Sequence, residues 1–325
     1  MIRRMLKPIF LSVAMLASAA SAQDSYPVPS RHISIVVPFA AGTGTDVITR
    51  VIAERMAKSL KVTILVDNKP GASGQIGTDF VARAQPDGYT LLVATISTHS
   101  ANPYLYKTLR YDPVKDFSPI GRLTLNPLAL LVKPASPFRS VQDVVQYAKA
   151  NPGKLAYGYG NTGGQVSAAM LVSMGKIQAL AVPYKSTPQV FTDLMGGQID
   201  FGFVDFAASM TLIESGKLKA LAMTGQKRFS MAANTPAVSE TPGFEDFSLL
   251  AWLGLMAPAG TPKPIIDRLN AELRSALEVP ELKQRLERQM GSVVEPTTVE
   301  EFLVFLQEQN NTWRRRIREA GIKPE

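Results

Sequence analysis

The sequence predicts an α/β protein of two lobes, on three observations. Short apolar runs rich in β-branched residues alternate with amphipathic stretches at helical spacing, which is typical of largely parallel strands joined by helices. The length of 325 residues suits about two domains. Two apolar strands, near residues 126–133 and 249–257, are interpreted as the crossings between lobes. We therefore expect a first lobe of residues 23–126 and 253–325, and a second lobe of residues 127–252.

The first 22 residues have the pattern of an export signal. Basic residues within positions 1–7 precede an apolar stretch, Ile9–Ala17, that is too short to span a bilayer. Residues 20–22 (ASA) have the form that signal peptidase cuts. The alternative is a buried N-terminal helix, but charge, apolar core and cleavage box occur in the order of a signal. We expect cleavage before Gln23 and a periplasmic mature chain.

The composition excludes several classes of function. Cysteine is absent, which rules out thiol catalysis and cysteine metal sites, and His32 and His99 are too few for a multi-histidine zinc site. Removing the three basic residues of the signal lowers the formal charge from +8 to +5 (8 − 3). The remaining basic residues are scattered and form no nucleic-acid motif, so we expect no nucleic-acid partner, no metal and no cofactor.

Apolar patterning predicts each element of the first lobe in turn. Ile33–Pro38 is a buried strand, and Asp46–Leu60 is a helix with apolar residues at helical spacing. Val62–Val66, Thr78–Ala84 and Tyr89–Ala94 follow as a strand, a helix and a strand, separated by glycine-containing turns.

The second lobe and the chain end continue the alternation. Ser140 caps a helix that ends at Ala150. Further strands are predicted at Leu155–Tyr159, Gln178–Val182, Ile199–Val204 and Leu218–Met223, and further helices at Ser167–Met174 and Pro188–Met195. Thr261 is expected to cap a helix with an apolar stripe to Leu277. Thr298 and Glu301 form a capping box for a last helix through Arg318, which we expect to pack on the first lobe.

The loop after the first strand combines small residues with hydroxyls. Such a strand-to-helix loop collects free backbone N–H groups at the positive end of a helix dipole, which suits an anion, although a plain structural turn explains the loop equally well. Asp46 is expected to be the helix N-cap. A dinucleotide fingerprint fails because Val47 stands where a third small residue is needed. The candidate contacts in this loop are Phe39, Ala41, Gly42, Thr43, Gly44 and Thr45.

Two further loops follow strand ends and carry small polar side chains. Because ligands of open α/β sheets bind beyond the carboxyl ends of strands, we expect all three loops to meet at one carboxylate site. Asp205 also ends a strand and should face this site, where it holds water or a cationic part of the ligand, or only caps the next helix. The candidates in the two loops are Thr95, Ser97, Thr98 and His99, and Asn161, Thr162, Gly163 and Gly164.

His99 has two interpretations. It is a general base if Ser97 or Ser100 is a nucleophile, but no G-x-S-x-G elbow occurs. We favour the second interpretation, in which His99 is a capping or pocket histidine.

Collinear blocks over nearly all of the mature chain resemble the Bug receptors, the substrate-binding proteins of tripartite tricarboxylate transporters. The blocks include VVPFAAGTGTD at 36–46, DNKPGASGQIGTD at 67–79, VPYKSTPQVFTDLMGGQIDFGFVD at 182–205, SGKLKALAMT at 215–224 and APAGTPKPIIDRLNAEL at 257–273.

The resemblance implies a periplasmic binding protein type II fold, with two α/β lobes joined by two hinge strands around a cleft. It implies a receptor rather than an enzyme, which binds a mono- or dicarboxylate, an amino acid or an aromatic acid. In such receptors backbone amides, hydroxyls and bridging waters hold the carboxylate. By position, this role falls on residues 39–45, 95–99 and 161–164, and the matching aspartate is Asp205. The implied partners are the integral membrane subunits of a tripartite tricarboxylate transporter, and we expect a monomer.

Two departures from the family pattern touch the expected pocket. Gly42-Thr43-Gly44 stands where many members have adjacent glycines, and GNTGGQVS at 160–167 lacks the histidine of one large subgroup. The identity of the acid therefore stays open. Two alternatives to transport also stay open, namely presentation of the bound solute to a sensor kinase and hydrolysis by Ser97 or Ser100 with His99.

Overall fold

The computed structural model describes residues 26–324, and the export signal predicted for residues 1–22 lies outside them. Within the described chain, no helix has the length and apolar character needed to cross a membrane. The strands in chain order are β1 Ile33–Val37, β2 Ile64–Asn68, β3 Thr90–Thr95, β4 Phe117–Val132, β5 Leu155–Tyr159, β6 Ala179–Pro183, β7 Gly202–Asp205, β8 Lys219–Met223 and β9 Leu250–Pro258.

Helices connect these strands. A π-helical turn, Ile96–Ala101, directly continues β3 and is called the π-turn below. The α-helices are α1 Gly44–Leu60, α2 Gln75–Ala82, α3 Asn102–Leu105, α4 Val141–Ala150, α5 Thr162–Gly175, α6 Thr187–Gly196, α7 Phe206–Glu214, α8 Lys263–Leu277, α9 Pro280–Gln284 and α10 Val299–Glu319.

Seven of the described strands form one sheet in the order β2-β1-β3-β9-β4-β7, with β8 also paired to β4. Strands β2, β1 and β3 are parallel, and β9 runs antiparallel to both β3 and β4. Strands β5 and β6 form a separate parallel pair. The α/β fold with an open sheet confirms the predicted fold class.

The two long strands β4 and β9 connect the halves of the molecule. β4 pairs with β9 from Phe117 to Pro127, and from Leu128 it pairs with β7 and β8 instead. The predicted crossing strands therefore lie side by side, antiparallel, where β4 changes partners. This change of partners supports the proposed lobe boundary after Asn126.

Separate apolar cores stabilise the two halves. One cluster lies in the first lobe, where Ile48 of α1 and Leu269 of α8 pack with buried residues of β1 and β3. Another lies in the second lobe and contains Leu131, Val190 and Leu194. A third cluster contains buried residues of both lobes, so the halves share part of their hydrophobic stabilisation.

The last helix packs on the first lobe, as predicted, and also contacts the second lobe. On the first lobe, the guanidinium group of Arg122 in β4 lies over the Phe305 ring, 4.9 Å from its centroid. Near the other end of α10, the Arg316 Nη2 donates to the Asp246 carbonyl at 2.7 Å, and the Ser173 hydroxyl donates to the Glu319 carbonyl at 3.0 Å. Helix α10 therefore spans the junction between the lobes.

Two predicted element boundaries and one predicted helix cap are wrong, each for a physical reason. β4 begins at Phe117 rather than Asn126, because its first half pairs with β9 despite its polar and glycine residues. α5 begins at Thr162 rather than Ser167, since the two glycines read as loop residues lie inside its first turn. Thr261 does not cap α8, because its hydroxyl donates to the Pro258 carbonyl at 2.8 Å and Pro262 occupies the N-cap.

Candidate ligand-binding site

A cavity of about 650 Å³ lies between the lobes, at the carboxyl ends of β1, β3, β5 and β7. This volume is within the usual range for small-molecule sites. We call it the interlobe cavity. The structure brings members of all three predicted loops, and Asp205, onto its wall. The predicted residues that line it are Phe39, Thr43, Gly44, Thr45, Thr95, Ser97, Asn161, Thr162 and Asp205.

The other predicted residues lie next to the wall without forming it. Ala41 and Gly42 are exposed on the outer side of the first loop. The remaining four are buried behind the wall, where they pack against the protein instead of facing the cavity; they are Thr98, His99, Gly163 and Gly164.

The first loop is closed by its own hydrogen bonds. Thr43 is the N-cap of α1, because its hydroxyl accepts from the Asp46 N–H, so the predicted N-cap role of Asp46 is wrong. The Asp46 carboxylate instead accepts from the Gly42 N–H at 2.9 Å, and from Arg50 and Asn68. Gly42 has a φ of 80°, a left-handed conformation that glycine adopts without strain.

Asp46 is an ionised anchor of this loop. Burial raises its pKa, but the hydrogen bonds from Arg50, Gly42 and Asn68 outweigh burial and hold the pKa below its usual value. The N–H groups of Gly44 and Thr45, at the first two positions of α1, have no acceptor within the helix. Because both residues line the cavity, their donors are available to a solute.

The π-turn begins with a reciprocal capping interaction. The Thr95 N–H donates to the Thr98 hydroxyl at 3.0 Å, and the Thr95 hydroxyl accepts from the Thr98 N–H at 3.4 Å. Ile96 and Ser97, the first residues of the turn, lie on the cavity wall. The sequence predicted a loop here; the capped turn instead fixes Ser97 against the cavity.

His99 is a core residue on the far side of the same turn. Its Nδ1 lies 2.9 Å from the Thr98 hydroxyl, and its ring packs edge-to-face on Phe117 at 4.8 Å. Burial lowers the pKa of His99 to about 3, so the ring is neutral. Its hydrogen bond goes to Thr98 rather than to Ser97 or Ser100, so no serine–histidine pair is assembled for nucleophilic catalysis.

The second-lobe part of the site centres on Asn161 and Asp205. Asn161 is the N-cap of α5: its Oδ1 accepts from the Gly164 N–H, and its Nδ2 donates to the Asp205 Oδ2, both at 2.9 Å. Asp205 holds the N-cap position of α7 but its side chain makes no capping bond, which excludes the simple capping role. Burial raises the pKa of Asp205 more than the Asn161 hydrogen bond lowers it.

The glycines at the start of α5 allow close packing. A methyl group on Gly164 would lie 2.5 Å from the Phe203 carbonyl oxygen, and one on Gly163 would lie 3.0 Å from the Ile96 Cδ1. The start of α5 in the second lobe therefore packs against the π-turn of the first lobe. At Gly164, where the neighbour is a backbone oxygen, a side chain would force the backbone to shift, whereas at Gly163 the end of the Ile96 side chain would have to move.

Several cavity residues were not predicted. The segments Pro70–Gly74 and Tyr184–Thr187 each join a strand to a helix, so the argument that identified the other loops also applies to them. Tyr106, whose hydroxyl lies 2.8 Å from the Ser73 hydroxyl, carries no comparable signal. Trp252 and Asn126 lie inside the long strands, and only the sheet order brings them to the cavity.

The described cavity wall contains few charges. Lys185 is its only cationic side chain and Asp205 its only acidic one, and no arginine contributes. Backbone N–H groups, hydroxyls and amides supply the other polar groups. Such a wall can replace water around one anionic group through neutral donors.

The receptor family described as "Tripartite tricarboxylate transporter family receptor" (TctC) matches residues 48–322. Rpa4515 of R. palustris, whose structure was solved with adipate, superposes with a TM-score of 0.87 at 30% identity, over 91% of this chain and 99% of that one. Periplasmic binding protein BugD superposes with a TM-score of 0.83 at 34% identity, over 92% of this chain and 100% of BugD.

MatC from Rhodopseudomonas palustris, with bound malate, has a TM-score of 0.82 at 31% identity, over 89% of this chain and 100% of its own. These similarities cover 89–92% of this chain, so they extend to both lobes. The chain therefore has the periplasmic binding protein fold and belongs to the tripartite tricarboxylate transporter family of solute-binding receptors.

Proposed function

We propose that this chain is exported to the periplasm, binds a small carboxylate in the interlobe cavity and delivers it to the membrane subunits of a tripartite tricarboxylate transporter. The observation that carries the proposal is the convergence of helix-initiating segments from both lobes on one cavity. The bound adipate and malate of two similar receptors support the carboxylate class.

The carboxylate is expected to lie against the first lobe. There the N–H groups of Gly44 and Thr45 sit at the positive end of the α1 dipole, and Ser97 lies on the adjacent π-turn. Phe39 and Thr43 shape the same wall. A few charge-assisted hydrogen bonds together with apolar burial are enough for micromolar affinity, about −8 kcal/mol.

Asn161 and Thr162 are proposed to close the site from the second lobe. Asp205 faces the cavity beside them and is proposed to receive a donor, either water or a donor group of the ligand. The buried or outward residues of the same loops, such as Gly42, Thr98 and Gly164, are proposed to hold the geometry without touching the ligand.

A thermal-shift and calorimetry panel of carboxylates tests the binding proposal. We expect at least one acid to raise Tm, and the double variant Thr45→Val/Ser97→Ala to weaken its binding about 10-fold or more, since two wall hydroxyls are lost. Thr211→Val, an exposed hydroxyl outside the cavity wall, is the matched control and should leave binding unchanged. Absence of stabilisation by every acid, with turnover of any one of them, would overturn the proposal.

Export has a separate test. Expression of the full chain in a Gram-negative host, followed by periplasmic fractionation and N-terminal sequencing, should recover a mature protein that begins at Gln23. Recovery of the uncut chain from the cytoplasm would contradict the localisation and leave the binding proposal to the calorimetric test.

A further inference from the structure

The cavity wall carries one lysine, Lys185, which is not among the carboxylate contacts proposed above. It is exposed and is the only cationic side chain among the described residues of the wall. Within residues 26–324 its ammonium group forms neither a hydrogen bond nor an ion pair. Only its backbone is engaged, where the N–H donates to the Gln189 Oε1 at 3.0 Å.

Two acidic side chains of the second lobe, Asp193 and Asp205, accept hydrogen bonds from other residues. Asp193, on the following helix α6, accepts a hydrogen bond from the Tyr184 hydroxyl at 2.6 Å. Asp205, the acidic residue of the wall, accepts from the Asn161 amide at 2.9 Å. Neither carboxylate forms an ion pair with Lys185, so within the described residues its ammonium group has no anionic partner.

The segment that carries Lys185 is held firmly in place. It joins β6 to α6, and Ser186 is the N-cap of α6 with no side-chain capping bond. A methyl group on Gly160 would lie 2.5 Å from the Ser186 carbonyl carbon and from the Thr187 nitrogen, so the loop before α5 packs directly on this segment. The backbone of the segment is thus fixed, and the flexible lysine side chain extends from a defined position.

Lys185 belongs to the second lobe, whereas the donors proposed for the first carboxylate belong to the first lobe. Those first-lobe donors are neutral N–H and hydroxyl groups of Gly44, Thr45 and Ser97. A ligand with one anionic group is satisfied by them alone. A second anionic group at the other end of a ligand would face the second-lobe wall, which offers the cation of Lys185.

We infer that Lys185 binds the distal anionic group of a dicarboxylate, so that the preferred ligand bridges the two lobes and draws them together. The inference rests on the proposed carboxylate-binding function and adds the substrate class and the residue that selects it. Lys185 acts by pairing its ammonium with the distal carboxylate, and a monocarboxylate lacks that contact.

The test is calorimetry with succinate, glutarate and adipate, each compared with its monomethyl ester, which removes one charge at nearly constant length. We expect the wild-type chain to bind the best diacid about 10- to 100-fold more tightly than its monoester, the range typical for one charge-assisted hydrogen bond. Lys185→Gln should abolish this preference, and Lys185→Arg should retain most of it.

Lys154→Gln is the matched control, because it removes one positive charge from an exposed site of the same lobe outside the cavity wall. It should preserve the diacid preference within about twofold, since exposed charges away from the ligand are screened. Small-angle scattering provides a second readout. Diacid should reduce the radius of gyration of the wild type, and Lys185→Gln should show no such change.

The outcomes separate this inference from the proposed function. If a monoester binds as tightly as its diacid, or if Lys185→Gln weakens diacid and monoester equally, the inference fails while carboxylate binding stands. If no diacid and no monoester binds while another acid of the carboxylate panel raises Tm, the inference fails and the proposed function stands; if no acid of the whole panel binds, the proposed function fails as well. A diacid preference that disappears in Lys185→Gln and persists in Lys154→Gln supports the inference.

Discussion

The two walls of the interlobe cavity are anchored in different ways. On the first-lobe wall, Thr43, Asp46 and Gly42 close their loop by hydrogen bonds among residues four or fewer apart, as in the Gly42–Asp46 bond at 2.9 Å. On the second-lobe wall, Asn161 joins its own helix to Asp205, which is 44 residues away in the sequence. The first-lobe wall is organised mainly by local hydrogen bonds, to which Asn68 of β2 adds one contact with Asp46, whereas the second-lobe wall depends on the contact between Asn161 and Asp205.

Because of this difference, substitutions on the first-lobe wall should change mainly ligand affinity, and substitutions on the second-lobe wall should change mainly protein stability. Substitutions in the first-lobe loop should alter ligand affinity with little effect on stability, because the capped helix start is a local structure. Substitutions at the start of α5 should destabilise the protein, because Gly163 and Gly164 pack on Ile96 and on the Phe203 carbonyl. The following predictions test this contrast.

The largest effect is expected for Gly164→Ala. The added methyl would lie 2.5 Å from the Phe203 carbonyl oxygen, so backbone must shift, at a cost of about 2–3 kcal/mol. Gly44→Ala is the matched substitution on the other wall, where the methyl would lie 3.8 Å from the Ala207 Cβ, an ordinary contact. Urea denaturation should show the loss for Gly164→Ala only. Equal stability of the two variants would contradict the proposed difference between the two walls.

The second-largest effect is expected for the pH dependence of stability, through His99, which is buried behind the first-lobe wall. The pKa of His99 is lowered from 6.5 to about 3, so between these values the unfolded chain binds a proton that the folded chain does not. The free energy of unfolding therefore falls as the pH falls through this window, by about 2 kcal/mol from His99 at pH 5.

Urea denaturation of His99→Gln between pH 7 and pH 4.5 measures this contribution. The variant should have a flatter dependence of unfolding free energy on pH than the wild type, whatever its stability at pH 7. An unchanged slope in His99→Gln would show that the ring is not the group responsible.

A third prediction compares the two helix caps. Asn161→Ala removes the acceptor for the Gly164 N–H and the donor to Asp205, and should cost about 1–2 kcal/mol. Thr43→Ala should cost about 0.5–1 kcal/mol, because its bond to the Asp46 N–H is long, 3.4 Å, and the Gly42–Asp46 bond remains. Differential scanning calorimetry of both variants decides the order, and the reverse order would contradict local anchoring of the first wall.

The smallest effect is expected for ligand affinity at Asp205. Burial raises its pKa, so on acidification it loses its charge before an ordinary carboxyl group does. At a pH where the ligand is still anionic, its affinity should rise a few-fold (less than about 1 kcal/mol) as the negative charge of Asp205 disappears. Calorimetry of Asp205→Asn over the same pH range should show no such rise in ligand affinity. If the variant keeps the wild-type pH profile, Asp205 does not face the bound anion.

Much of the fold could be predicted because it depends on local patterns. β5 at Leu155–Tyr159, α4 after its Ser140 cap, and the capping box of Thr298 and Glu301 are confirmed. Each follows from side-chain periodicity or from a hydrogen bond between residues three apart. The role of Asp46 was missed because its partner Asn68 lies on another strand, and an aspartate before a helix looks the same with or without that partner.

By itself, the sequence determined the α/β class, the order of strands and helices, and the strand-to-helix loops that carry free donors. Those properties arise from the spacing of neighbouring residues. Only the tertiary structure decided which members of each loop face the cavity, that His99 lies behind it, and that Lys185 and Trp252 belong to its wall. These outcomes depend on the pairing of β4 with β9 and on the apposition of the lobes, which join residues far apart in the chain and leave no periodic signal.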